Sequence, residues 1–170
     1  MAYLIVLRLI HIICAVFWTG ATLYLAGFII PAVKALGPEG GKFMQQLSRT
    51  NKLPLVMNIA GTFTVIAGIL LIERISGGFQ AEWFGTPHGI IVSIGGTSAL
   101  IGYVIGITVN LPAIIRMAAI GKSIAASGTP PSPEQLQELQ KIRNKLFTAT
   151  NIIAIFLLIA LINMSIVRYF

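Results

Sequence analysis

The chain has 170 residues, of which 56% are hydrophobic and 10% charged, and its mean hydropathy is +0.87; such a composition excludes a soluble globular or disordered protein. The net charge of +7 comes from basic residues scattered beside apolar stretches, not from a basic stripe interleaved with aromatics, so no nucleic-acid partner is expected. The single cysteine, Cys14, excludes a disulfide framework and a Cys-x-x-Cys-His attachment site for covalent haem.

A membrane-spanning helix needs roughly 20 predominantly apolar residues, because in hydrocarbon every backbone N–H and C=O must be paired within the segment. Four stretches qualify, at about Leu4 to Ile30, Leu53 to Ile72, Gly89 to Leu111 and Thr148 to Val167. They predict one domain over residues 1–170, an all-α integral membrane four-helix bundle in contact with the lipid bilayer. The first stretch is too long for the roughly 7–15-residue apolar region of a signal peptide and has only Arg8 as early charge, so it is expected to stay as a span.

After the first span, Pro31 and the run Gly37 to Gly41 read as a turn, and Lys42 to Arg49 as a short surface helix. Between spans two and three, Phe79, Trp83 and Phe84 suit a short loop anchored in the interface. Pro112 is expected to break or kink the helix after span three, with Ala113 to Ile124 continuing beyond it. Ser132-Pro133-Glu134-Gln135 has the form of a capping box with proline at the first helical position. From there Leu136, Leu139, Ile142 and Leu146 keep one face, which predicts an unbroken helix into span four and a protruding stalk.

The connections between spans one and two and between spans three and four hold nine of the twelve basic residues. The positive-inside rule therefore puts both connections in the cytoplasm and both termini on the non-cytoplasmic side. The expected location is the inner (cytoplasmic) membrane of a bacterium or archaeon, as a multi-pass protein.

Ionisable groups inside spans are costly and usually functional. Arg8, His11, Cys14, Trp18 and Thr22 recur at helical spacing on one stripe of span one. A cation, an imidazole and an aromatic plane in that order suit a b-type haem, with Arg8 at the propionates, His11 as axial ligand and Trp18 on the ring. The alternative for the same stripe is structural, with Arg8 snorkelling to headgroups, His11 bonding a neighbouring helix and Trp18 filling the core. His88 is the only other imidazole and lies toward the same face, which makes it the preferred opposite ligand. A thioether at Met164 is a third candidate for a His/Met haem or a copper site. Gly102-x-x-x-Gly106 fits helix packing or room for a macrocycle, and Asn58, Asn110 and Asn151 read as inter-helix hydrogen bonders. With no aspartate and only Glu73 and Glu82 near a membrane boundary, no carboxylate relay for a proton pump is present.

His11, Trp18 and Gly20 form an H-x6-W-x-G pattern near the start of span one. It resembles the opening helix of small four-helix membrane proteins such as the CopD-type copper-resistance domain and the HemJ-type protoporphyrinogen oxidase. The resemblance covers the four-span size and this one motif, and it implies haem binding at His11. The basic, tyrosine-rich continuation of the HemJ helix is replaced here by Ala21 to Ile30 and span three has no lysine, so porphyrinogen oxidation does not carry over. Three readings stand: a haem b protein of electron transfer or redox chemistry near the outer face, a copper-handling protein, and an accessory subunit working with other membrane subunits or as a homodimer. Whether the chain is itself an enzyme, and what its redox partner is, the residues leave open.

Overall fold

The structure, a computed structural model, describes residues 2–170. Its elements are α1 (Ala2–Leu36), α2 (Pro38–Arg49), α3 (Leu53–Ile75), the single turn α4 (Ala81–Phe84), α5 (Pro87–Ser127) and α6 (Pro133–Tyr169). Among the described residues α1, α3, α5 and α6 are the four helices long and apolar enough to cross a membrane, which makes the chain a multi-pass membrane protein.

The spans are longer than their apolar runs because neither proline stops its helix. In α1, residues Leu25–Ile29 form a π turn, closed by the Ile30 N–H donating to the Leu25 carbonyl, and the helix passes through Pro31 to Leu36. In α5 the same device covers Gly106–Asn110, closed by Leu111 N–H to the Gly106 carbonyl, two residues ahead of Pro112. A proline in an α-helix removes one backbone bond and pushes its ring against the carbonyl four residues back; a wider turn placed just before it re-pairs the backbone, and the helix continues. The chain turns only at Gly37, in a positive-φ conformation (φ 58), and α2 starts directly at Pro38, not at Lys42.

Successive spans run antiparallel in a ring. α1 packs along α3 and α5 along α6, while the α1–α6 and α3–α5 seams close the bundle and leave α1 and α5 at opposite corners. The α5–α6 seam is close because Gly95 has no side chain: a Cβ there would lie 2.9 Å from Met164 Cε and 3.0 Å from Asn163 Cβ. Buried Trp18, Ala60, Ile153 and Leu157 form the core at mid-bundle, and Ile30, Val33 and Phe147 form a second cluster nearer the stalk.

The capping box is present: Ser132 Oγ accepts from the Gln135 N–H at 3.3 Å and Gln135 Oε1 accepts from the Ser132 N–H at 2.9 Å. From that cap α6 runs unbroken to Ile166 and ends in a short 3-10 turn, Val167–Tyr169. Its 37 residues span about 55 Å at roughly 1.5 Å per residue, well beyond a hydrocarbon thickness of about 30 Å. The excess pairs with the end of α5 as a stalk, tied by Arg116 Nε to Glu138 Oε1 at 2.7 Å. Leu139 and Leu146 turn inward there, but Leu136, in the first turn at the stalk tip, is 54% exposed.

Candidate functional site

His11 faces α3. Its Nδ1 lies 2.9 Å from the Thr64 carbonyl oxygen, and since a carbonyl can only accept, Nδ1 carries the proton. The ring lies flush on that helix because residue 68 is glycine: a Cβ there would stand 3.0 Å from His11 Cε1 and 3.2 Å from Nδ1. The other ring nitrogen, Nε2, makes no hydrogen bond to protein and is not among the fully enclosed polar atoms of the described residues. A half-buried imidazole is thus held by one nitrogen with the lone pair of the other available. That is the arrangement a metal-ligating histidine uses, with one nitrogen donating to a carbonyl or carboxylate to fix ring and tautomer. Neither Thr64 nor Gly68 carries a sequence signal for this role. Only helix pairing reveals them.

The rest of the stripe divides. Arg8, one turn toward the chain start, is exposed. Trp18 is 6% exposed, lies against Gly61, and meets the Tyr103 ring edge-on at 6.3 Å between centroids. The seven-position step from His11 to Trp18 separates them by about 10 Å along the helix, and the indole packs in the mid-bundle core. Thr22, 1% exposed, gives its hydroxyl proton to the Trp18 carbonyl at 2.7 Å.

His88 sits in the first turn of α5, on the corner opposite α1, where its ring packs edge-on to Trp83 at 5.9 Å. That loop is tightly built: Thr86 Oγ donates to the Trp83 carbonyl at 2.7 Å and accepts from the Gly89 N–H at 3.0 Å, and a Cβ on Gly89 would collide with the Trp83 carbonyl. Met164 is 37% exposed and touches Gly95 in the α5–α6 seam. No hydrogen bond or ring contact joins His11 to His88 among the described residues, nor do any three His, Cys, Asp or Glu side chains come together there.

Sequence reasoning missed a cavity of about 560 Å³ at the stalk end of the bundle. Trp18, Met57 and Tyr103 line its mid-bundle part, and Lys42 of α2 and Arg143 of α6 lie where it meets the stalk. Both π turns contribute, through Leu25 and through Gly106 and Asn110. Of the Gly102-x-x-x-Gly106 pair, Gly102 packs against Ile153 and Leu157 while Gly106 faces open space. Of the three asparagines, only Asn110 reaches another helix, donating to Thr150 Oγ at 3.4 Å; Asn58 donates to its own helix at Pro54, and Asn151 is exposed.

No family model, curated protein or solved structure matches the chain.

Proposed function

We propose that the chain is a haem-b-binding membrane protein in which His11 is the axial ligand and Arg8 faces a propionate, serving electron transfer or redox chemistry. The observation that carries this reading is the His11 ring itself, pinned through Nδ1 to the Thr64 carbonyl with Nε2 free. A bare metal ion needs three or four protein ligands, whereas a haem iron brings four macrocycle nitrogens and needs one or two from the protein. No three His, Cys, Asp or Glu side chains come together among the described residues, and a single oriented imidazole suits a haem iron. When bound, the haem supplies a one-electron redox centre. The protein's part would be to orient the imidazole through the Thr64 carbonyl and to neutralise a propionate through Arg8. His88, packed on Trp83, makes no hydrogen bond or ring contact with His11 among the described residues, so His11 is the residue that would hold the group. The H-x6-W-x-G resemblance to CopD-type and HemJ-type proteins supports the same residue.

The nine-to-three division of basic residues supports an orientation with the stalk in the cytoplasm and both termini outside, as in a bacterial or archaeal inner membrane. His11 then lies toward the outer face. An ultraviolet-visible spectrum with metal analysis of detergent-purified protein tests the assignment. A Soret band with one iron per chain is expected. Copper without a Soret band would overturn it in favour of copper handling, and neither would leave an accessory role.

A further inference from the structure

We propose that the stalk-end cavity is a binding site for an anionic phospholipid, whose phosphate sits at Arg143 and Lys42 and one of whose acyl chains runs inward to Trp18. This inference does not rest on the reading of His11, which lies outside the cavity.

Three observations converge on it. First, the cavity has the size of a ligand site, about 560 Å³ against a usual range of roughly 300–1,000 Å³. It is also long: from Arg143 to Ile153, both in its wall, α6 rises about 15 Å. Second, its charge is one-sided. Lys42 and Arg143 line it and no carboxylate does. Lys42 is paired with Glu39 at 2.7 Å in an exposed contact, but half-buried Arg143 makes no ion pair among the described residues. An unpaired guanidinium on the cavity wall is available to an anion, and its planar fork suits a phosphate. Third, Trp18, Met57 and Ile153 give the inward part of the wall apolar surface beside the uncharged Thr22, Asn58 and Tyr103, while both basic groups lie at the stalk end. Polar and apolar ends are therefore disposed as in an amphiphile lying along the bundle.

The two π turns explain why the space exists. Each widens its helix beside the cavity, and each precedes a proline that a regular helix would not have carried through. The amphipathic helix α2, whose Lys42, Met44 and Leu47 line the cavity, lies at the mouth, where a lipid entering from the adjacent leaflet would meet cationic residues first.

The test is native mass spectrometry of the full-length protein in detergent, titrated with phosphatidylglycerol, phosphatidylcholine, lysophosphatidylglycerol or inorganic phosphate. One phosphatidylglycerol should be retained per chain under activation that strips phosphatidylcholine. Arg143→Gln should lower phosphatidylglycerol binding roughly tenfold or more, as expected for losing charge-assisted hydrogen bonds, without changing phosphatidylcholine. Gly106→Leu should lower it too, because a Cβ at Gly106 meets nothing within 4 Å and the added side chain takes up cavity space without a clash. Lysophosphatidylglycerol binding as well as phosphatidylglycerol would support the single-chain fit, and binding of inorganic phosphate alone with equal affinity would overturn the lipid assignment. Equal retention of both diacyl lipids, or an Arg143→Gln protein that matches wild type while keeping its thermal stability, would show ordinary annular lipid and sink the proposal.

Discussion

Replacing Gly68 with alanine places one methyl group against the His11 ring, and the geometry sets the size of the effect. The new Cβ would lie 3.0 Å from Cε1 and 3.2 Å from Nδ1, whereas carbon atoms in contact rest about 3.5–4.0 Å apart. The ring must retreat by about 0.5 Å or more, which carries the 2.9 Å bond to the Thr64 carbonyl past the usual limit of about 3.2 Å. Losing that bond costs about 0.5–1.5 kcal/mol. Alanine in place of glycine returns up to about 1 kcal/mol of helix propensity, so thermal stability should barely change. Ligand affinity should change far more, since disturbing the group that orients a ligating histidine typically weakens metal binding about 10–100-fold. Haem titration followed in the Soret region measures this, and the imidazole 15N chemical shifts of the haem-free protein report the loss of the fixed Nδ1–H tautomer. Gly96→Ala is the control, because its nearest neighbour, Ile72 Cδ1, is at an ordinary 3.6 Å. Wild-type haem affinity and unchanged 15N shifts in Gly68→Ala would refute the role given to the Thr64 carbonyl.

Three further outcomes follow from the fold. In a Cys14→Ser background, Gly78→Cys should react with an impermeant thiol reagent added outside intact cells and Ser127→Cys should not; labelling of Ser127→Cys from outside reverses the orientation. Leu139→Pro breaks α6 within its unbroken run and should destabilise the protein by about 3 kcal/mol or more; an unchanged melting temperature would contradict a continuous stalk helix. Gly89→Ala drives a methyl group into the Trp83 carbonyl and should cost about 1–3 kcal/mol by overpacking, with a shift in tryptophan emission as Trp83 leaves His88; an unshifted spectrum at full stability would contradict the loop geometry.

The four spans were legible because backbone pairing in hydrocarbon demands long apolar runs, and the start of α6 was legible because Ser132 and Gln135 are chemically suited to cap it. Pro31 misled, because the helix passes through it to Leu36, whereas the sequence already carried the helix past Pro112 over Ala113 to Ile124. A π turn adds a residue to one helical turn and shifts the faces beyond it by about one position, a change hard to see in spans that are apolar on most sides, so the order of residues does not mark either turn. At the candidate site, helical spacing placed Arg8, His11 and Trp18 on one stripe but could not say which neighbour each meets. In the fold His11 meets Thr64 and Gly68, while Trp18 meets Gly61 and Tyr103. The cavity was not legible at all. Its wall draws on every long helix and on α2, and no one-dimensional pattern joins Arg143 to Trp18.

The visible and electron paramagnetic resonance spectra of purified wild type beside His11→Ala and His88→Ala test the central claim most directly. Wild type should show a b-type haem that is largely high spin, His88→Ala should match it, and His11→Ala should insert normally yet retain no haem. A His11→Ala protein with the wild-type haem spectrum, or a wild type without porphyrin, would contradict the account.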